Sequence, residues 1–304
     1  MKDLRFSPKT LQQICDKHNL GKIQNLSYSQ SGMVNPCVFI NDAYVIRFNV
    51  RDPQIPKFRR EKMAMELLKE NKILVPEVIA LDESRTILPH DFLICKRIKG
   101  KELYQVWETL EEKIQMQLCS EMGEILAKIH QVYLPKFGAI LPDGLQFETW
   151  SACILHKLQL AIEEAKTLQL FEERMYQKVQ QIFDNHTALL DTVKNASLVH
   201  NDYHLGNVIV NEGHIAGILD FEWCFAGDPE YDFREPLTFE GVTDKLLLNY
   251  QKYRPLSAEY PPKSHLYRLL LYLQLSVLAT MHNWGEESTL SYRKRFEEIL
   301  GSFD

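Results

Sequence analysis

Polar and apolar positions alternate in two different rhythms along this chain, and the rhythm changes near residue 100. At the start, "FSPKTLQQICDKHNLG" repeats its apolar residues with helical spacing. Ser7 is placed as N-cap, Pro8 at the first helical position and Gly21 past the end. Strand patterns follow: "IQNLSYS", then "CVFIND-AYVIRFNV", a hairpin turning at Asn41-Asp42. A helix is predicted from Pro56 to Asn71, closed by Val75-Pro76, and further strands through Ala80 and over Asp91 to Ile98. "KGKEL" forms the natural boundary, with Gly100 as its flexible point.

Beyond Gly100 the pattern is mostly helical. "EEKIQMQLCSEMGEILAKIHQVY", the stretch 151–193 and the C-terminal segments all carry a period near 3.6. One strand pair interrupts them: "NVIVN" and "IAGILDF", separated by "EGH". The expected architecture is α+β with two lobes. Residues 1–98 form a small antiparallel β-sheet lobe with one internal helix, and residues 99–304 a larger, mainly helical lobe. The apolar run Leu266 to Thr280 contains Arg268 and Gln274 and is shorter than the ~18 residues of a membrane span, so it reads as a core helix.

Composition narrows the function classes. The net charge of −6 argues against nucleic acid as a partner. Residues 1–98 hold 16 Lys+Arg against 11 Asp+Glu, and the remainder 19 against 30. A basic first part and an acidic remainder suit an anion bound by one and a cation by the other. The six cysteines (15, 37, 95, 119, 153, 224) contain no C-x-x-C pair, and the N-terminus has no apolar signal core. Both point to a reduced, cytoplasmic protein with no membrane partner; oligomeric state is not legible.

The densest chemistry lies in "LVHNDYHLGNVIV", where His200, Asp202, His204 and Asn207 fall within eight residues. Two readings compete. H-x-D-x-H offers imidazole and carboxylate ligands for zinc or iron, but the other histidines form no second cluster. The alternative starts from Asp202, Asn207 and Asp220. The strand pair carries the chain out from Asn207 and back to Asp220, so Asp202, Asn207 and Asp220 converge. One carboxylate to take a hydroxyl proton, and a carboxylate and an amide oxygen to hold Mg²⁺, are what phosphoryl transfer needs.

"HNDYHLGN" followed by "ILDFEW" resembles the catalytic loop and metal segment of the aminoglycoside phosphotransferase superfamily of small-molecule kinases, which share the protein-kinase-like fold. The resemblance implies Asp202 as catalytic base, Asn207 and Asp220 as Mg²⁺ ligands, and ATP or GTP as phosphoryl donor. It also covers "GDPEYDF", where it implies that Asp232 braces the loop; His200 reads as its support and His204 has no assigned role.

The first lobe agrees. At 100° per residue, Phe58, Glu61, Ala64, Met65 and Leu68 share one helix face, while Glu66 and Glu70 lie on the other. A carboxylate on an apolar face needs a partner, and Arg47 in "YVIRF" supplies one. Ser31 and the backbone near Gly32 are placed to cover the nucleotide phosphates, which Arg47 and Glu61 serve; by resemblance the base lies along Cys95 to Ile98, a stretch that includes Arg97. No G-x-x-x-x-G-K-[ST] is present, which excludes a P-loop enzyme; the missing A-P-E after Asp220 argues against a protein kinase.

Glu222, Asp228, Glu230 and Trp284 are candidate acceptor contacts. An acidic wall would suit a cationic acceptor such as an aminoglycoside-like antibiotic, with antibiotic resistance as the role. Aromatic faces would suit a choline- or ethanolamine-type metabolite. A nucleotide-binding pseudo-kinase is a further alternative, opposed by the intact Asp202, Asn207 and Asp220.

Overall fold

In the computed structural model residues 5–29, 36–234 and 242–303 are described. They fall into two compact units: 1–121 with 202–224, and 122–201 with 225–304. The first unit thus takes in more than the expected 1–98 lobe, because the hairpin after the polar loop folds with it.

The chain opens with α1 (Pro8–Lys17), whose Ser7 Oγ accepts the Thr10 N–H at 3.1 Å. The helix ends before Gly21, because Asn19 already takes the left-handed conformation that turns the chain (φ 58°). Next come β1 (Leu26–Tyr28), β2 (Cys37–Ile40), β3 (Tyr44–Phe48), α2 (Lys57–Glu70), β4 (Val78–Asp82) and β5 (Phe92–Lys96). They build an antiparallel sheet of order β1-β2-β3-β5-β4. Asn41 and Asp42, both at positive φ, turn β2 into β3.

The two faces of this sheet differ. Val38, Ile40, Ile46, Phe48, Phe92 and Ile94 pack with Leu11, Ile14 and Cys15 of α1 into an apolar core. Residues that alternate with them face the other way, so Cys37, Arg47 and Leu93 form one cross-strand row. On α2 the buried face holds Phe58, Glu61, Ala64, Met65 and Leu68, and also Lys57.

After β5 the chain passes Gly100 into β6 (Lys101–Glu102), α3 (Leu103–Val106) and α4 (Glu112–Ile129), which runs from the first unit into the second. Gly100 is not a loose hinge. It sits at φ 141°, and a Cβ there would lie 2.3 Å from the Val210 carbonyl oxygen, so glycine is needed for close backbone approach.

The second unit contributes β7 (Tyr133–Leu134), β8 (Phe137–Gly138), β9 (Gln146–Phe147), α5 (Trp150–Thr167), α6 (Glu173–Asn185), α7 (Thr187–Leu190) and β10 (Ala196–Val199). The long helical pattern over 151–193 is therefore broken, with Gln169 at φ 53° in the gap. The chain then returns to the first unit as a 3₁₀ turn (Leu205–Asn207), β11 (Val208–Asn211) and β12 (His214–Ile218), forming a sheet of order β12-β11-β6. Glu212 and Gly213 make its two-residue turn, both at positive φ.

The second unit closes with β13 (Phe225–Gly227), a 3₁₀ turn (Pro229–Phe233), α8 (Val242–Tyr250), α9 (Tyr260–Met281) and α10 (Glu286–Gly301). Its sheet runs β7-β10-β13-β8-β9. The apolar run 266–280 lies inside α9, burying Leu266, Leu269, Leu270, Leu273 and Val277. No helix of the described residues is long and apolar enough to cross a membrane.

Candidate active site

The hairpin β11–β12 brings its two ends together. Val208 pairs with Ile218, and the Leu219 N–H donates to the Asn207 carbonyl at 2.8 Å. Asp220 is thereby set beside Asn207. The Asn207 side-chain NH₂ donates to the Asp202 carbonyl oxygen (2.9 Å) and to Asp202 Oδ2 (3.2 Å). That leaves the Asn207 amide oxygen as the group available to a cation.

Arg47 reaches into the same unit from β3. Its Nη1 donates to Glu61 on α2, and its Nη2 donates to Asp220 Oδ1 at 3.1 Å and Glu222 Oε2 at 3.2 Å. Carboxylate oxygens of Glu61, Asp220 and Glu222 lie within 4.8 Å of one another. Glu61 is 2 % exposed, and its Oε2 is buried with no hydrogen-bond partner. One guanidinium thus faces three carboxylates. Burial pushes Glu61 up to about 7 against the pull of Arg47, with the charges of Asp220 and Glu222 adding to the rise. Burial, then the Asp220 charge, also raises Glu222. Hard oxygen donors, one of them orphaned, are of the kind Mg²⁺ takes, and Asp220 and Asn207 are the residues that could hold it.

Among the described residues this ligand set contains no histidine. His204 Nδ1 accepts the Gly206 N–H at 3.0 Å, and its Nε2 lies 3.3 Å from the Asn207 amide. Both nitrogens therefore face protein groups, and the H-x-D-x-H metal reading has no support.

Two basic residues of α2 join the cluster, and the sequence reading missed both. Lys57, wholly buried, places Nζ 3.3 Å from Asp52 Oδ2 and 4.0 Å from Glu222 Oε1. Arg60 Nη1 donates to the Glu222 carbonyl oxygen at 3.0 Å. A signal for Lys57 existed: it precedes Glu61 by four residues, on the same helix face.

The acidic residues expected to meet an acceptor are buried among partners. Glu222 is buried and accepts from Arg47. Asp228 and Glu230 are also buried, in the second unit. Lys263 Nζ lies 2.7 Å from both, Tyr267 OH donates to Asp228 at 2.6 Å, and Ser257 donates to Glu230. A buried carboxylate without donors is costly, and both of these residues have their donors in place. Tyr231 packs with Trp150, Phe225 and Tyr267 in the core, and Trp284 rests beside His282 and Tyr292.

Other candidates separate. Cys95 is buried on β5, and burial pushes its thiol up to about 12. The Arg97 guanidinium donates to Asp42 at 2.6 Å and lies 4.4 Å over the Phe39 ring. Ser31 and Gly32 lie outside the described residues.

In the second unit Asp232 accepts the N–H of His200 (2.9 Å) and of Asn201 (2.6 Å), and meets His130 Nε2 at 2.9 Å. Burial would raise this carboxyl, but the His130 hydrogen bond and the His130, His200 and Arg234 charges hold it below its ordinary range. His200 is completely buried. His130 in turn meets Tyr250 OH at 2.8 Å, and Arg234 donates to Asn201 Oδ1 at 2.8 Å. The resemblance pointed to Asp232 and His200; of the other partners, which come from distant segments, only His130 carried a signal, its apolar-face position four residues after Leu126.

The phosphotransferase enzyme family, APH, matches residues 29–245, well over half of the chain. The chain belongs to this phosphotransferase family. The matched residues take in Arg47, Glu61, Asp202, Asn207, Asp220 and Asp232, and leave Trp284 outside. Hygromycin-B 4-O-kinase of Escherichia coli is 24% identical over 191 residues, 62% of this chain and 54% of that protein. Homoserine kinase of Gluconobacter oxydans is 24% identical over 155 residues, 48% of this chain and 47% of that protein. The chain spans about half the length of these curated relatives.

Solved structures of related phosphotransferases share its fold along nearly the whole chain. The streptomycin–ATP complex of APH(2")-IIa has a TM-score of 0.71 at 21% identity, covering 98% of this chain and 97% of that one. ADP-bound aminoglycoside phosphotransferase APH(2")-Ib has a TM-score of 0.70 at 22% identity, with 97% of each chain covered. The chain accordingly has the α+β, protein-kinase-like fold.

Proposed function

We propose that this phosphotransferase moves the terminal phosphoryl group of ATP or GTP, with Mg²⁺, to a hydroxyl of a small molecule. The observation that carries this reading is the gathering of Asp202, Asn207 and Asp220 with the Arg47–Glu61 pair in one folded unit. In this reading Asp202 orients the acceptor hydroxyl and takes its proton as the oxygen attacks phosphorus, and the nucleoside diphosphate leaves. Asn207 and Asp220 hold the Mg²⁺, which when bound offsets the charge of the phosphates. Glu61 holds the Arg47 fork for the phosphate oxygens. Solved relatives are complexes with ATP, ADP and GDP, which supports nucleotide use without choosing between adenine and guanine. Six free cysteines favour a cytoplasmic setting.

For the acceptor, the similar proteins are named for hygromycin B and homoserine. Because Asp228 and Glu230 are committed to Lys263, the argument for a polycationic acceptor no longer rests on them. The reading is therefore a small-molecule hydroxyl, with aminoglycosides, amino alcohols such as choline and ethanolamine, homoserine and sugars as the compounds to try. Each is offered with Mg-ATP and with Mg-GTP, and acceptor-dependent nucleotide consumption is measured. One acceptor is expected to raise consumption well above the acceptor-free rate. Tight Mg-nucleotide binding with no transfer to any compound would favour a nucleotide-binding pseudo-kinase.

A further inference from the structure

Asp220 holds its backbone at φ 66°, a region sparsely populated by residues other than glycine. Such a conformation persists where the flanking structure over-determines it. Upstream, the Leu219 N–H is tied to the Asn207 carbonyl at 2.8 Å. Downstream, the ties converge on Glu222. Its carbonyl oxygen accepts from Arg60 at 3.0 Å, its Oε2 accepts from Arg47 at 3.2 Å, and its Oε1 faces Lys57 Nζ at 4.0 Å. Lys57 and Arg60 both stand on the first turns of α2, together with Glu61. Lys57 also faces Asp52 at 3.3 Å, so its ammonium bridges the loop before α2 and the segment after Asp220.

We infer that Lys57 and Arg60 are positioning residues: from α2 they clamp Glu222, and through it hold Asp220 in the orientation that receives the divalent cation. This rests on the phosphotransfer reading above. Arg60 holds the main chain of the segment by a hydrogen bond, and Lys57, with Arg47, faces its side chain, so the segment is restrained in both position and rotation. A buried pair of this kind orients its members even where its net contribution to stability is small.

Two cations beside three carboxylates could instead serve only as counter-charge, and the two roles differ in sign. Loss of a counter-charge leaves the site more negative and tightens cation binding. Loss of a clamp loosens it, because groups that orient a metal ligand are worth on the order of tenfold in metal affinity.

The test is calorimetric titration of the full chain with ADP, once with Mg²⁺ and once with EDTA. The wild type is expected to bind ADP more tightly with Mg²⁺. Arg60→Met and Lys57→Met are expected to cut that Mg²⁺-dependent gain about tenfold and leave metal-free ADP binding unchanged. Arg60→Lys keeps the charge but loses the planar fork, and is expected to lose part of the gain. A gain that is unchanged or larger in Arg60→Met overturns the clamp. So does a parallel fall of both affinities, which would mark a general role in folding. If Lys57→Met does not fold, the two Arg60 variants decide. A wild type whose ADP affinity ignores Mg²⁺ would overturn the phosphotransfer reading itself.

Discussion

Two groups of carboxylates, drawn largely from the same stretch 220–232, end in opposite electrostatic situations. Every carboxylate oxygen of Asp228 and Glu230 has a donor. Glu230 N–H reaches Asp228 Oδ1 at 3.0 Å, and Lys263 and Tyr267 reach Oδ2. Ser257 supplies both Glu230 oxygens, with Lys263 beside Oε2. Glu61, Asp220 and Glu222, by contrast, share the Arg47 fork, and Glu61 Oε2 has no partner. The first group is saturated with neutral and charged donors; in the second, a buried oxygen of Glu61 has none. Charge counted along the sequence does not separate the two, and donor supply does. A carboxylate cluster with a buried, donorless oxygen is the one suited to take a cation.

Removing one charge from each group should break them differently. Asp220→Asn is expected to lower phosphotransfer by about 10²- to 10³-fold, the usual scale for losing a group that stabilises transition-state charge, with little change in stability. Kinetics alongside urea unfolding checks both halves. Lys263→Met should do the reverse. It strands two buried carboxylates and is expected to cost about 3–5 kcal/mol of stability, measured by urea unfolding, with Mg-nucleotide affinity of the folded protein retained. A catalytic collapse in Lys263→Met without destabilisation would erase the distinction between the groups.

A smaller effect sharpens it through pH. Glu61 is raised from 4.5 to about 7 in the folded state. The folded protein therefore binds the proton more tightly than the unfolded chain. The stability tied to this proton is fully present below pH 4.5 and is lost as pH rises through about 7. Glu61→Gln should flatten that decline in unfolding measurements between these values, since a neutral amide mimics the protonated acid. An unchanged slope would place the titration elsewhere.

Much of this was legible in the sequence because it depends on local rules. The Ser7 cap, the turn at Asn41-Asp42 and the hairpin that returns Asp220 to Asn207 follow from short-range chemistry. The buried face of α2 follows from helical period, and an apolar-face carboxylate demanded a cation, which Arg47 supplies. What stayed hidden depends on distance. Lys263 lies 35 positions from Asp228, so the acidic residues looked exposed when they were already partnered. No motif singled out Lys57, although its position placed it on the Glu61 face. Gly100 read as a hinge because glycine signals freedom and close backbone approach alike; only the Val210 carbonyl distinguishes them. Apolar period could not separate one helix from two across 168–172, because the break at Gln169 carries neither glycine nor proline.

The central claim is that Asp202 is the base of a phosphoryl transfer prepared by Asn207 and Asp220. The most direct measurement compares Asp202→Ala with the wild type on the productive acceptor, scoring phosphoryl transfer and Mg-nucleotide binding on the same samples. Asp202→Ala is expected to lower transfer about 10²- to 10⁴-fold with binding retained. Full transfer by Asp202→Ala on that acceptor would contradict it.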